Sequence, residues 1–418
     1  FLGPYGRLAA PRALTSPASL SNRTGAGLDP CCALQTVITI EPGGSAELVI
    51  MLGAAPNAGE AQSLITRYRT SSIDEVLGDV KRYWSETLGS VQVKTPDRAL
   101  DIMLNGWLLY QTLACRMWAR SGFYQTSGAY GFRDQLQDSM ALLTTRPAIA
   151  REHILRAAAR QFVQGDFQHW WLPATGMGVR TRISDDTVWL ANCVSHYVKV
   201  TGDGGILEEV VPFLEGQSLA PGEHDAFFQP ALSEDSASLY EHCARALDRN
   251  LPSGAHGLPL MGTGDWNDGM NRVGEGGKGE SVWLGWFLLT TLKAFAPVAD
   301  ARSDVKRAAA WRDRVKKLQA ALEKHGWDGN WYRRGFFDDG TPLGSAQNEE
   351  CRIDSIAQSW AVLSGAAAPD RAAAAMDESY RQLVRPEDSL ALLFTPPFDK
   401  TPKDPGYIKA YPPGIREN

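Results

Sequence analysis

The segment Gly262-Thr-Gly-Asp-Trp-Asn-Asp-Gly-Met-Asn271 sets two carboxylates, two amides and an indole between glycines. Glycine allows a tight turn and lets a ligand approach the backbone closely. Carboxylates and amides with one flat aromatic ring make poor core material, but they suit the hydroxyls and faces of a sugar. Asp265 and Asp268 stand three residues apart, with Trp266 and Asn267 between them. An acid that must keep its proton near neutral pH needs burial or a neighbouring carboxylate, and this segment offers both ingredients. The same residues also suit a surface turn whose Asp and Asn side chains bond their own backbone. An apolar helical run follows, Glu280-Ser-Val-Trp-Leu-Gly-Trp286.

Three further clusters mix aromatics with charge. The first contains Arg120-Ser-Gly-Phe-Tyr124 and Gly131-Phe-Arg-Asp-Gln-Leu-Gln-Asp138. Arg133 and Asp134 sit just before an apolar helical run, where backbone N–H groups and an Arg suit an anion. A capping Asp beside an ion-paired Arg reads equally well there. The second runs from His169-Trp-Trp171 to Arg180-Thr-Arg-Ile-Ser-Asp-Asp186, and its Asp185 suits a sugar hydroxyl or a helix cap. The third, Gln347-Asn-Glu-Glu-Cys-Arg-Ile-Asp354 with Gln358-Ser-Trp360, reads as a polar loop entering a helix, with Glu349 and Glu350 as weaker candidates.

Other chemistries fail on spacing. Gly274-Glu-Gly-Gly-Lys-Gly279 matches GxGxxG, but no strand precedes it and Lys278 is followed by glycine. Asp265-x-Asn267 opens like an EF-hand loop, yet the later glycine and glutamate fall at the wrong positions. Neither HExxH nor GxSxG occurs, so metal-dependent and serine hydrolysis drop out. Lone histidines such as His196 and His242 lie on helical faces and read as core or surface.

The elements that must position these clusters are mostly helical. The first 55 residues read as β, with Ala33–Ile40 and Ala46–Met51 flanking Pro42-Gly43-Gly44. From Gly59 the apolar period becomes three to four residues, over Ala61–Tyr68 and Ile73–Leu88, and a long stripe follows over Arg98–Arg120. Further helices are expected at Leu136–Thr144, Ala148–Gln164, Asp186–Thr201, Gly205–Leu214, Ser236–Asp248, Ser281–Val298, Asp304–His325, Ile353–Ser364 and Ala372–Leu383. Such helices, non-repeating in sequence and alternating with Gly/Trp/Asp/Arg-rich loops, fit a closed helical toroid better than a solenoid.

At 418 residues the chain has room for two domains or one large toroid. A net charge of −6 argues against nucleic acid or an anionic membrane as the main partner. No apolar stretch reads as a span of about 20 residues. The six cysteines have no CxxC spacing, which favours reduced, mostly buried thiols in the cytoplasm. Neither an initiator Met nor a leader opens the chain, and both ends read as cut.

Tyr130-Gly-Phe-Arg-Asp-Gln-Leu-Gln-Asp138, Gly178-Val-Arg-Thr-Arg-Ile-Ser-Asp-Asp186 and Gly264-Asp-Trp-Asn-Asp-Gly-Met-Asn271 resemble glycoside hydrolase family 94, the inverting β-glucoside phosphorylases. Phe394-Thr-Pro-Pro-Phe-Asp-Lys-Thr-Pro402, Asp404-Pro-Gly-Tyr-Ile-Lys409 and Tyr411-Pro-Pro-Gly-Ile-Arg-Glu-Asn418 resemble the branch that holds the cyclic β-1,2-glucan synthases and 1,2-β-oligoglucan phosphorylases. The resemblance implies the last strands of a β-sandwich over residues 1–57, a helical linker over 58–95 and an (α/α)6 barrel over 96–418, incomplete at its C-terminus.

The implied reaction is phosphorolysis of a β-glucan, giving α-glucose 1-phosphate and a chain one unit shorter. Inversion needs one acid and a nucleophile on the opposite face, and phosphate supplies the nucleophile itself. Carried onto this sequence, Asp268 is the acid, and Trp266 lines the sugar subsite. Asp265 holds the loop or raises the acid's pKa. Arg120 and Arg133 serve the glucosyl and phosphate sites, with Arg133 the phosphate ligand. Asp134 and Asp138 lie near the sugar, and Asp185 is a further sugar contact.

Inorganic phosphate is a co-substrate, and no other cofactor or metal is implied. The family adds a His and a Thr-Gly pair to the phosphate site beyond Glu417-Asn418, so this span by itself is expected to phosphorolyse poorly. A homodimer, or a place in a larger membrane-bound synthase without insertion by this segment, are the assemblies the resemblance allows. An inverting hydrolase using Glu349, Glu350 or Asp354 as base, and a non-catalytic glucan-binding module, are the competing readings.

Overall fold

The computed structural model describes residues 1–3, 6–16, 18–23, 25–27, 31–120 and 128–418. The chain divides into two compact units, Phe1–Val80 and Lys81–Asn418. In the first, Asn57 caps the helix Ala58–Thr70 by accepting from Glu60 N at 3.0 Å. The expected strands Ala33–Ile40 and Ala46–Met51 form no ladder. A strand exists only through a partner's hydrogen bonds, and these segments have none among the described residues. Cys31 and Cys32 are exposed rather than buried, while Cys193, Cys243 and Cys351 are buried free thiols.

The second unit is mainly helical. Its stretch 98–118 opens on an Asp97 cap but is not one regular α-helix: π-type turns occupy Met103–Trp107 and Thr112–Trp118. The helices Phe132–Met140, Pro147–Ala158, Asp186–Thr201, Leu239–Arg249, Val282–Ala301, Val305–Ala321, Ser355–Leu363 and Pro369–Leu383 pack around one large core. Asp186–Thr201 ends on Gly202, whose φ of 74° is the left-handed cap that glycine adopts without strain.

Val282–Ala301 is the central element and contacts Val305–Ala321, Asp186–Thr201 and Ser355–Leu363. By length and composition it could cross a membrane, which the sequence reading had excluded for every segment, but most of its apolar surface is buried inside the fold. Leaving its Trp283, Trp286, Phe287 and Leu288 in water would cost about 1.5–3 kcal/mol per large side chain.

One expected helix is mostly strand. Gly205–Leu214 contains only a short 3-10 turn, Gly204–Glu208, followed by the strand Val210–Glu215, which pairs antiparallel with Ala231–Ser238. Val210, Val211 and Phe213 favour strand, and Pro212 has no N–H for a helical ladder.

A separate antiparallel sheet has the order Tyr130–Gly131, Gln168–Trp171, Gly178–Thr181, Asp225–Phe228. Its register shifts between Gln168 and Trp170, so His169 sits in a bulge. Bulges re-aim a side chain away from the regular alternation.

Candidate active site

The loop around Asp268 is sewn down on all sides. Gly262 takes φ 63° and forms a bridge with Ile183, and a Cβ there would lie 2.1 Å from the Arg182 carbonyl oxygen. Ser184 N donates to the Gly264 carbonyl at 3.0 Å. Within the loop, Asn267 N donates to Asp265 Oδ1 at 3.2 Å and Gly269 N to Asn267 Oδ1 at 3.1 Å. A 3-10 turn, Asp268–Met270, then presents the Asp268 carboxylate, whose side chain is 36% exposed.

Asp265 is fully buried and points away from the opening. Its carboxylate pairs with both terminal nitrogens of Arg334, with Nη1 at 2.6 Å, and accepts from Ser281 Oγ at 2.6 Å. Arg334, also fully buried, has Nε 3.3 Å from Asp354 Oδ2, off hydrogen-bonding alignment. Burial raises Asp354 to about 6, opposed by Arg334. This buried ion cluster ties the loop to Ser281 at the start of the central helix and to Asp354, which caps Ser355–Leu363.

Arg133 projects from the first turn of Phe132–Met140 into the space beneath Asp268. Its Nη1 donates to Asp185 at 2.9 and 3.1 Å and to the Asp265 carbonyl at 2.7 Å, while Nη2 donates to Asp268 Oδ1 at 2.5 Å. Trp189 Nε1 donates to Asp185 at 2.8 Å. Burial raises Asp185 to about 7 against the pull of Arg133. Asp185 stands at the N-cap position of Asp186–Thr201, but its side chain does not cap the helix; it buttresses Arg133.

On the bulge, His169 Nδ1 lies 2.8 Å from Asp186 Oδ2 and Nε2 lies 3.4 Å from Asp268 Oδ2. Burial disfavours the charged imidazole, yet Asp186 and Asp268 raise its pKa well above the ordinary value. Burial would raise Asp268 too, but Arg133 and His169 hold it below the usual carboxylate range. Asp265 bonds Arg334 and Ser281, and its carboxylate holds the loop.

Asp268 opens onto a cavity of about 430 Å³ lined by Arg116, Arg133, Asp134, His169, Trp170, Trp266, Tyr407 and Tyr411, with Arg416 and Glu417 at the chain end. Of the residues singled out in the sequence, Arg133, Asp134, Trp266 and Asp268 reach this cavity. Asp185 and Asp265 are buried behind it. Asp138 pairs with Arg116 at 2.8 Å and does not line it. Arg120 takes φ 50°, donates to the carbonyls of Gly128 and Trp118, and stacks over Tyr130, also away from the lining. Its neighbours Ser121–Tyr124 lie outside the described residues.

None of the hydrolase-base candidates lines the cavity. Glu350 accepts from the backbone of Asp399, Lys400 and Thr401. The glycine loop 274–279 holds its own anion, because Asp338 accepts from the N–H groups of Gly276, Lys278 and Gly279.

A sequence model described as the glycosyl hydrolase 94 superfamily catalytic domain matches residues 83–418, and one for the glycosyl hydrolase 94 supersandwich domain matches residues 1–71. The chain belongs to glycosyl hydrolase family 94. Within that family it is 55% identical, over its full length, to the cyclic beta-(1,2)-glucan synthase NdvB of Rhizobium meliloti, of which it spans 15%. It is 32% identical to a 3-O-beta-D-glucopyranosyl-beta-D-glucuronide phosphorylase of Paenibacillus borealis, over 82% of this chain and 42% of that protein. It is 28% identical to the N,N'-diacetylchitobiose phosphorylase of Vibrio furnissii, over 100% of this chain and 53% of that one. The chain therefore spans about half or less of the length of these family 94 relatives.

His169, Tyr407 and Tyr411 escaped the sequence reading as site residues. The signal for His169 in the sequence was its place beside Trp170 and Trp171 in a polar-aromatic cluster.

Proposed function

We propose that this chain carries the acid and anion-binding machinery of an inverting β-glucan phosphorylase. The observation that carries it is a carboxyl and a guanidinium 2.5 Å apart at the floor of one aromatic-lined cavity. Phosphate bound at Arg133 would attack the anomeric carbon from one face while Asp268 protonates the departing oxygen on the other. The products would be α-glucose 1-phosphate and a glucan shortened by one unit.

Trp266 would stack on the sugar, and Asp134 would bind its hydroxyls. Asp185 would anchor Nη1 of Arg133, leaving Nη2 to turn from Asp268 to the incoming phosphate dianion. Inorganic phosphate is the co-substrate, with no other cofactor required. The helical unit would form an (α/α)6 barrel, with the acid on a loop at its mouth.

The 55% identity to the cyclic beta-(1,2)-glucan synthase NdvB supports a β-1,2 linkage. In a larger synthase of that kind the reaction would trim linear glucan chains. The test is release of glucose 1-phosphate from linear β-1,2-glucooligosaccharides, with and without phosphate. Phosphate-dependent release supports the reading; phosphate-independent release of glucose refutes it.

A further inference from the structure

In the resting site Asp268 is a carboxylate gripped by two cations, Arg133 at one oxygen and His169 at the other. A carboxylate so held is a poor proton donor. His169 is built into this position: it occupies the only irregular point in the Gln168–Trp171 to Gly178–Thr181 pairing. Its far nitrogen rests on Oδ2 of Asp186, which is 2% exposed and whose Oδ1 has no hydrogen-bond partner among the described residues. An imidazole backed by one carboxylate and aimed at another is the arrangement that holds and passes a proton.

We propose that His169, backed by Asp186, is the proton source for Asp268, and that it hands its proton over when incoming phosphate draws Arg133 off the acid. The inference rests on the phosphorolysis reading above. The Nε2–H bond of His169 breaks and an O–H bond forms on Asp268 Oδ2. Asp268 passes that proton to the leaving glycosidic oxygen as the C1–O bond breaks and a phosphate oxygen bonds to C1. The P–O–H of the new monoester then gives its proton back to His169, so the proton brought by hydrogen phosphate ends on the released sugar hydroxyl. At 3.4 Å the resting contact is long for transfer, and releasing the Arg133 pair frees the carboxyl to close it.

The other charged or titratable groups facing this trio are Asp134 beside Arg133, Asp185 beneath it, and Tyr407 from the turn Tyr407–Ala410, with Arg116, Arg416 and Glu417 around the cavity. Among the described residues Arg133 and His169 meet the Asp268 carboxylate; Asp185, which burial raises to about 7, lies behind Arg133 and bonds that guanidinium instead. A guanidinium keeps its proton, which leaves the imidazole of His169, in line with Asp268 Oδ2, as the donor; burial and the Asp268 charge push the Tyr407 hydroxyl well above its usual range.

The test compares His169→Gln with the unmodified sequence, both in a C-terminally extended version of the chain, on two substrates, each with phosphate: a linear β-1,2-glucooligosaccharide and β-glucosyl fluoride. Fluoride departs without a proton. His169→Gln should lower kcat on the glucan about 10²-fold. It should also shift the pH profile while leaving KM for phosphate and the rate on the fluoride near those of the unmodified protein. Asp186→Asn should reproduce the pH shift with a smaller loss.

An unchanged kcat and pH profile on the glucan, or an equal loss on both substrates, would overturn the role of His169. If the unmodified protein makes no glucose 1-phosphate from either substrate, phosphorolysis itself is refuted and the inference goes with it. Nitrogen-15 imidazole spectra offer a check independent of turnover. The resonance missing in His169→Gln should remain protonated well above the ordinary imidazole range, and should lose that stabilisation in Asp268→Asn. A neutral His169 there would contradict the proposal.

Discussion

Arg133 does two jobs in this geometry, which makes it informative to substitute. It closes the buried charge of Asp185 and grips Asp268. Lysine keeps the charge but loses the planar fork that spans both partners. Arg133→Lys should therefore raise KM for phosphate at least about tenfold, as expected when a bidentate anion contact is lost. Arg133→Ala should in addition destabilise the fold by about 3–5 kcal/mol, because Asp185 is left buried and unpaired. Steady-state kinetics over a phosphate series, with thermal melts of both variants, checks this; an unchanged KM in Arg133→Lys would move the phosphate elsewhere. At this scale the sequence was legible where a motif brackets the residue, as for Arg133, Trp266 and Asp268. It placed His169 in an aromatic cluster but gave it no role, because a lone histidine carries no spacing signal and a strand bulge is not written in residue types.

Two adjacent acids in the sequence, Asp265 and Asp268, are separated by the elements around them into a buried tether and an open carboxylate. Arg334 makes that separation possible, and nothing in Trp331-Tyr-Arg-Arg334 announced it, since its partners are 69 and 20 residues away in sequence. Arg334→Met should cost about 3–5 kcal/mol by stranding two buried carboxylates. The double variant Arg334→Met/Asp265→Leu should recover part of that loss in denaturant titrations without recovering turnover. Equal stability of Arg334→Met and the unmodified protein would contradict the tether. Helices with a strong apolar period were readable almost to the residue, as with Asp186–Thr201. The strand Val210–Glu215 was misread because Val-Val-Pro-Phe-Leu fits either buried period over so short a run. The segments at 33–51 lie within the span matched by the supersandwich model but form no ladder among the described residues, because strand propensity cannot supply a partner.

Across the whole molecule, buried titratable groups outside the cavity set how the fold answers to acid. His153 is fully buried, and both of its ring nitrogens lack partners. Burial, with Arg156 adding to it, lowers its pKa to about 3. The unfolded chain takes up a proton there near pH 6.5 while the folded chain does not. Stability from this group is therefore full above about pH 6.5 and falls by about 1.4 kcal/mol per pH unit down to the folded value. His242, lowered to about 4 mainly by burial, acts in the same direction. His153→Phe should flatten the dependence of unfolding free energy on pH between about 4 and 6 relative to the unmodified protein; parallel curves would show that His153 stays unprotonated in both states or is hydrated in the fold.

The account of function stands or falls on Asp268 working with phosphate. The most direct measurement follows linear β-1,2-glucooligosaccharides by proton NMR, with and without phosphate, for a C-terminally extended version of the chain, unmodified and as Asp268→Asn. The prediction is α-glucose 1-phosphate from the unmodified protein only when phosphate is present, and a loss of about 10²–10⁴-fold in Asp268→Asn. Free glucose without phosphate, or an Asp268→Asn variant as fast as the unmodified protein, would contradict it.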